Sequence, residues 1–141
     1  MECIFCEIAA GRIPCHKLAE TPSALAFLDI MPVTRGHVLV IPKQHVGLAY
    51  EADPVLMGEL MTLATRLARA AQTALRCDGM NLLVNCGSCA GQVVPHVHLH
   101  VIPRYAGDGI QWPWPQGKLD HAAAAALVAQ ITQQLDGCTR G

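Results

Sequence analysis

Three histidines stand at alternate positions in the stretch Pro95-His96-Val97-His98-Leu99-His100-Val101-Ile102-Pro103. Successive side chains of a strand point to opposite faces. As a strand, the run sets His96, His98 and His100 on one face and turns Val97, Leu99 and Val101 to the other. A helix would scatter the histidines, because residues two apart do not share a helical face. The β-branched residues and the bracketing prolines favour the strand. Three imidazoles on one face are a poor choice for a core. They point to catalysis, a metal cluster or a structural polar patch. Sulfur supplies a second constellation. Cys3-x-x-Cys6 has the short reach that lets two thiolates share one tetrahedral ion. Cys86-Gly87-Ser88-Cys89 repeats that spacing, so a four-thiolate site stays open. The second pair also admits a redox brake, a disulfide that distorts its loop, or simply two small residues in a tight turn.

The elements that must position these groups follow from periodicity and punctuation. Residues 3–10 read as a short helix stopped by Gly11. Residues 17–20 and 24–29 are two short runs around Thr21-Pro22-Ser23, which predicts a hairpin. Met31-Pro32-Val33-Thr34-Arg35-Gly36 has turn chemistry. Residues 37–41 form a strand ended by Pro42, which cannot donate to a ladder. Asp53-Pro54 reads as an N-cap followed by proline at the first helical position. Behind it, Leu56, Leu60, Leu63, Leu67 and Ala71 make one apolar stripe on a helix running to about Arg76, which Asp78-Gly79 ends. Residues 80–85 are the next strand, and residues 86–92 are a small-residue loop feeding the histidine strand. After Tyr105 comes an irregular tail holding Trp112 and Trp114. Asp120 then caps an alanine-rich helix through Leu135, closed by Gly137.

The totals narrow the classes. A chain of 141 residues is one ordinary domain with enough length for a core. With 52% hydrophobic residues and a formal net charge of −1, neither disorder nor a nucleic-acid grip is expected. No run approaches the roughly 18 apolar residues of a membrane span. The first residues carry acid and no basic region, so no signal peptide is read there. Seven cysteines, an odd number, predict reduced thiols or metal-bound thiolates rather than a disulfide framework. The expected address is the cytoplasm.

Taken together, these motifs resemble the histidine triad (HIT) family of nucleotide hydrolases and transferases, and within it the Hint branch of nucleoside phosphoramidases. The resemblance is carried by His96-Val97-His98-Leu99-His100-Val101 and by Phe27-Leu28-Asp29-Ile30-Met31-Pro32. Gly36-His37-Val38-Leu39-Val40-Ile41-Pro42-Lys43-Gln44-His45, then Asn85, then Ala90-Gly91-Gln92 follow in the family's order. It spans residues 3–105, leaving 106–141 as a variable tail and helix of a single domain over residues 1–141. The implied fold is α+β, an antiparallel sheet of about five strands with two main helices, paired through sheet and helix into a homodimer.

The implied chemistry is attack by His98 on the α-phosphorus of a purine nucleoside phosphoramidate, giving a nucleotidyl-histidine that water hydrolyses to AMP. An imidazole, with an ordinary pKa of about 6.5, offers a lone pair at neutral pH without a separate base. His100 and His37 resemble the family's phosphate-side histidines, meeting charge on the equatorial oxygens. Asp29, which by type and position alone is a turn-initiating residue, would by resemblance accept from both ribose hydroxyls, beside Ile30. Asn85, Gly91 and Gln92 would cradle phosphate oxygens. Some bacterial members carry a structural zinc, and the matching residues are Cys3, Cys6, His45 and His96. Trp114-Pro115 resembles a tail that reaches the partner's site in Hint-like proteins. One position departs: Val93 stands where the branch usually has a phosphate-binding serine. A dinucleoside polyphosphate hydrolase, a nucleotidyl transferase, a metal-dependent triad and a nucleotide-binding regulatory module remain as alternatives.

Overall fold

The structure, a computed structural model, describes residues 3–111 and 114–135. In chain order the elements are α1 (Ile4–Ala9), β1 (Lys17–Glu20), β2 (Ala24–Leu28), β3 (Val38–Pro42), α2 (Pro54–Leu75), β4 (Gly79–Val84), β5 (Leu99–Arg104) and α3 (His121–Leu135). The five strands form one sheet in the order β1-β2-β3-β5-β4, and every pairing is antiparallel. This is the α+β architecture expected, with α2 and α3 as the two main helices. The chain divides into two compact units, Met1–Asp108 and Gly109–Gly141.

Strand alternation decides which residues meet the site. In the first unit, Val38, Val40, Val97, Leu99 and Val101 turn toward α2 and pack with its Leu60, Leu63 and Ala64. Leu39 and Ile41 turn the other way and pack with Leu25, Phe27 and Phe5 of α1. The sheet is therefore covered on both faces, which explains why β3 reads as an unbroken apolar run. At roughly 1.5–3 kcal/mol per fully buried large aliphatic side chain, these two layers hold the sheet rigid. The imidazoles of His98 and His100 fall on the α1 face, because Leu99 and Val101 occupy the α2 face.

One boundary differs from expectation. The histidine strand begins only at Leu99, whose last partner on β3 is Val40. His96 and His98 precede it. There the Val97 N–H donates to the Val46 carbonyl (2.7 Å) and the His96 N–H to the Val94 carbonyl (2.8 Å), so these donors serve a loop and not the ladder. The one-face pattern nevertheless survives, because Phe5 lies against both the His96 and the His98 ring. Pro42 ends β3 as read, as the last residue of the strand, opposite Ala24. The ladder's next donor is the Lys43 N–H, bonded to the Ser23 carbonyl at 2.8 Å, so Pro42 occupies a position that needs no donor. The end of α2 is also as read: its last residue is Leu75, and Arg76 is the C-cap in the left-handed conformation (φ 51°). Its start is as read: the Asp53 carboxylate accepts from the Val55 N–H at 2.8 Å, with Pro54 behind it.

In the second unit, Asp120 accepts from the Ala122 and Ala123 amides and caps α3. Trp112, Gly137 and Cys138 lie outside the described residues. No helix among the described residues is long and apolar enough to cross a membrane.

Candidate active site

His98 is 6% exposed and lies edge-on to Phe5, with ring centroids 5.1 Å apart. Its Nδ1 sits 2.7 Å from the carbonyl oxygen of His96. A carbonyl only accepts, so Nδ1 carries the proton and Nε2 keeps its lone pair. The His100 ring is 4.9 Å from that of His98, and the His100 Nδ1 is 2.9 Å from the Nε2 of His37. His37, 2% exposed, leads into β3 and faces an Asp29 carboxylate oxygen at 3.7 Å. β2, β3 and β5 thus deliver Asp29, His37 and His100 to one spot. Asp29 also accepts from the Met31 amide at 2.8 Å, and Ile30 beside it is 84% exposed.

Burial sets the charge of this cluster. It pushes His100 down to about 4, with His98 and His37 adding to the effect, and it also lowers His37. Both rings are therefore neutral near pH 7. The unfolded chain, with histidines at about 6.5, binds more protons than the folded one between about pH 4 and 6.5. Stability is accordingly full above that window and lost as pH falls through it. Thermal melts across pH 4–7 should show Tm declining over this range, and a His100→Gln variant should show a shallower decline.

The loop before the histidines is built from its own side chains. Gln92, 8% exposed, accepts from the Gly87 N–H at 2.8 Å and donates to the Gly47 carbonyl at 2.8 Å. Asn85 reaches the Gly91 carbonyl at 3.4 Å. The Gly91 and Gln92 amides donate to the Ser88 and Gly87 carbonyls, so both are engaged within the loop. Gly91, at φ 95°, takes a conformation few other residues adopt, with Asn85 close to where a Cβ would be. Val93, next in the chain, is 88% exposed.

A second cluster adjoins the first. Ligand atoms of Cys3, Cys6, His45 and His96 all lie within 4.8 Å of one another. Four of its edges are 3.4 Å (Cys3 Sγ to His96 Nδ1), 3.4 Å (Cys6 Sγ to His45 Nδ1), 3.6 Å (Cys6 Sγ to His96 Nδ1) and 3.2 Å (His45 Nδ1 to His96 Nδ1). A tetrahedral ion with sulfur at 2.3 Å and nitrogen at 2.0–2.1 Å requires edges of about 3.3–3.8 Å, so the donor set fits one. His96 is prepared for it. Its Nε2 donates to the Pro42 carbonyl at 2.8 Å, which leaves the Nδ1 lone pair facing the sulfurs. Burial, helped by the adjacent Cys3, pushes the Cys6 thiol up, and a bound cation would displace that proton. Cys86 (half-buried) and Cys89 (exposed) are free and belong to neither ligand cluster.

The residue that sequence reasoning missed is Phe5. It sits between Cys3 and Cys6 on α1 and touches both His96 and His98, so one aromatic joins the two clusters. Its only signal in the sequence is its place inside Cys-x-x-Cys.

The family model for the HIT domain matches residues 10–107. The chain belongs to the HIT domain family. Among HIT proteins it is 43% identical over 136 residues to an adenosine 5'-monophosphoramidase of Schizosaccharomyces pombe, covering 96% of this chain and 99% of that one. The crystal structure of a HIT family member from Bacillus subtilis superposes with a TM-score of 0.88 at 39% identity, covering 96% of this chain and 98% of that one. A zinc-bound histidine triad family protein from Mycobacterium smegmatis superposes with a TM-score of 0.75 at 37% identity, covering 98% of each chain.

Proposed function

We propose that this chain is a HIT-type nucleotide hydrolase that cleaves purine nucleoside phosphoramidates, of the adenosine 5'-monophosphoramidate kind, to AMP. The observation that carries the reading is the His98 Nδ1 contact with the His96 carbonyl at 2.7 Å, which leaves Nε2 as a free nucleophilic lone pair. Nε2 attacks the α-phosphorus as the P–N bond breaks, and the nitrogen takes a proton from solvent and leaves as the amine. The nucleotidyl group is then carried on His98 until water releases AMP. His100, neutral by burial, supplies a hydrogen bond to the phosphate oxygens without adding charge that would compete with attack, and His37, also neutral, backs His100 at 2.9 Å. The relative named adenosine 5'-monophosphoramidase supports the choice of substrate class.

Asp29 holds the ribose in this scheme, with Ile30 beside it and Phe5, Phe27 and Leu39 forming an apolar wall under the His98 side of the site. Asn85, Gly91 and Gln92 shape the phosphate loop, and Val93 brings no hydroxyl to it. Asp29→Ala should raise KM for adenosine phosphoramidate about tenfold and change kcat less, since ribose hydrogen bonds are shared by ground and transition states. Steady-state kinetics on the variant checks this.

The Cys3, Cys6, His45 and His96 cluster is assigned to a structural zinc. All four ligand positions are filled by protein, so no coordination site is left open for substrate. When bound, the ion would tie α1 to the histidine segment. The chain is taken as one HIT domain with its core over residues 3–105 and a variable tail, working as a homodimer in the cytoplasm. Pairing is supported by β4, an edge strand of the sheet with Leu82 38% exposed.

The test is a comparison of adenosine phosphoramidate with diadenosine tetraphosphate under identical conditions, with acid quenching after brief incubation and mass measurement of the chain. Faster turnover of the phosphoramidate with an acid-labile adenylate adduct is the expected result. Preference for the tetraphosphate would move the substrate class, and turnover without any adduct would overturn the mechanism.

A further inference from the structure

The backbone N–H of Val33 lies 3.0 Å from the Nδ1 of His37. An amide N–H only donates, so this nitrogen must be the acceptor and is unprotonated. Neutral His37 then carries its proton on Nε2, the atom 2.9 Å from the His100 Nδ1. His100 accepts there and must carry its own proton on Nε2. That Nε2 is the buried side-chain polar atom that has no hydrogen-bond partner among the described residues. One amide therefore fixes two protons in sequence, and the last of them is unspent.

The amide is itself held in place. The Thr34 hydroxyl donates to the Pro103 carbonyl, and the Tyr105 hydroxyl donates to the Arg35 carbonyl at 3.0 Å. Both ties run from the 30–36 turn to the end of β5, the strand that carries His100. The His37 N–H closes the turn onto the Thr34 carbonyl at 3.2 Å. Donor amide and receiving histidines are thus fixed to one another through a single strand.

We propose that Thr34 and Tyr105 are positioning residues, which hold the Val33 amide against His37 so that His100 presents an N–H, not a lone pair, to the reacting phosphate. The inverted arrangement would aim a second lone pair at the phosphate oxygens and repel them. The same wiring disposes of another use of the cluster. Asp29, His37 and His100 have metal-ligand spacing, but a proton occupies the His37 nitrogen that a metal would need. The inference deepens the proposed function and rests on it for its kinetic consequence only.

Ring-nitrogen NMR of the substrate-free, full-length protein reads the tautomers directly. His37 and His100 should appear protonated at Nε2, and His98 at Nδ1. Thr34→Val and Tyr105→Phe should each give mixed His37 tautomers and lower kcat roughly tenfold at nearly unchanged KM, while Thr34→Ser restores both readouts. Protonation of His37 at Nδ1 in the wild type would overturn the proposal. So would a kcat loss in Thr34→Val with wild-type ring signals, which would reveal a merely structural role. Because the ring signals need no substrate, they stand or fall separately from the adenylate adduct on His98.

Discussion

His98→Ala is expected to lower turnover of adenosine phosphoramidate by about 10⁴-fold or more and to abolish the covalent adenylate. A 10⁴-fold loss corresponds to about 5 kcal/mol of transition-state stabilisation, the scale on which removing a nucleophile acts. No neighbouring group replaces it. The His100 nitrogen nearest His37 is engaged at 2.9 Å, and His96 Nδ1 faces Cys3 and Cys6. Since His98 is 6% exposed against Phe5, the variant also leaves a cavity, so a melt must accompany the kinetics. His98→Gln fills more of that space and should be equally inactive while melting closer to the wild type. An adduct that persists in either variant, or turnover within tenfold of wild type, would remove His98 from the mechanism.

The second large effect concerns the metal cluster. Purified protein should carry about one zinc per chain, and Cys3→Ser combined with Cys6→Ser should remove it. A ligand that binds only the folded state at 1,000 times its Kd adds about 4 kcal/mol, so the double variant or exhaustive chelation should lower Tm by several degrees. The loss is expected to reach the reaction as well. Cys3 and Cys6 flank Phe5, and Phe5 rests on His98, so freeing the start of α1 should raise KM more than it lowers kcat. Metal analysis and melts with and without added zinc decide the matter. A chain that purifies metal-free and shows no zinc-dependent shift in Tm would dismiss the assignment.

These two experiments probe features that were unequally visible in the sequence. The alternation of His96, His98 and His100 with Val97, Leu99 and Val101 already dictated which side chains would share a face, because strand geometry leaves no third direction. The Asp53-Pro54 start and apolar stripe of α2, the hairpin around Thr21-Pro22-Ser23 and the Cys-x-x-Cys spacing were equally local, and the structure carries each of them. Such signals are legible because they depend on neighbours within one turn or one pleat.

What the tertiary structure alone decided is how alike residues came to differ. Four chemically identical imidazoles are set apart by the carbonyl, amide or neighbouring ring nitrogen that each one meets. His96 gives its Nε2 proton to Pro42, and His98 gives its Nδ1 proton to His96. His37 receives from Val33 and passes its proton's direction on to His100. These partners lie up to 63 residues from the ring they orient, and no composition or period encodes them. The sequence determined that a face of histidines would exist beside a pair of thiols. The fold determined which nitrogen on each ring would be free, because a ring's proton follows its hydrogen-bond partner, and partners distant in the chain become neighbours only when the sheet closes.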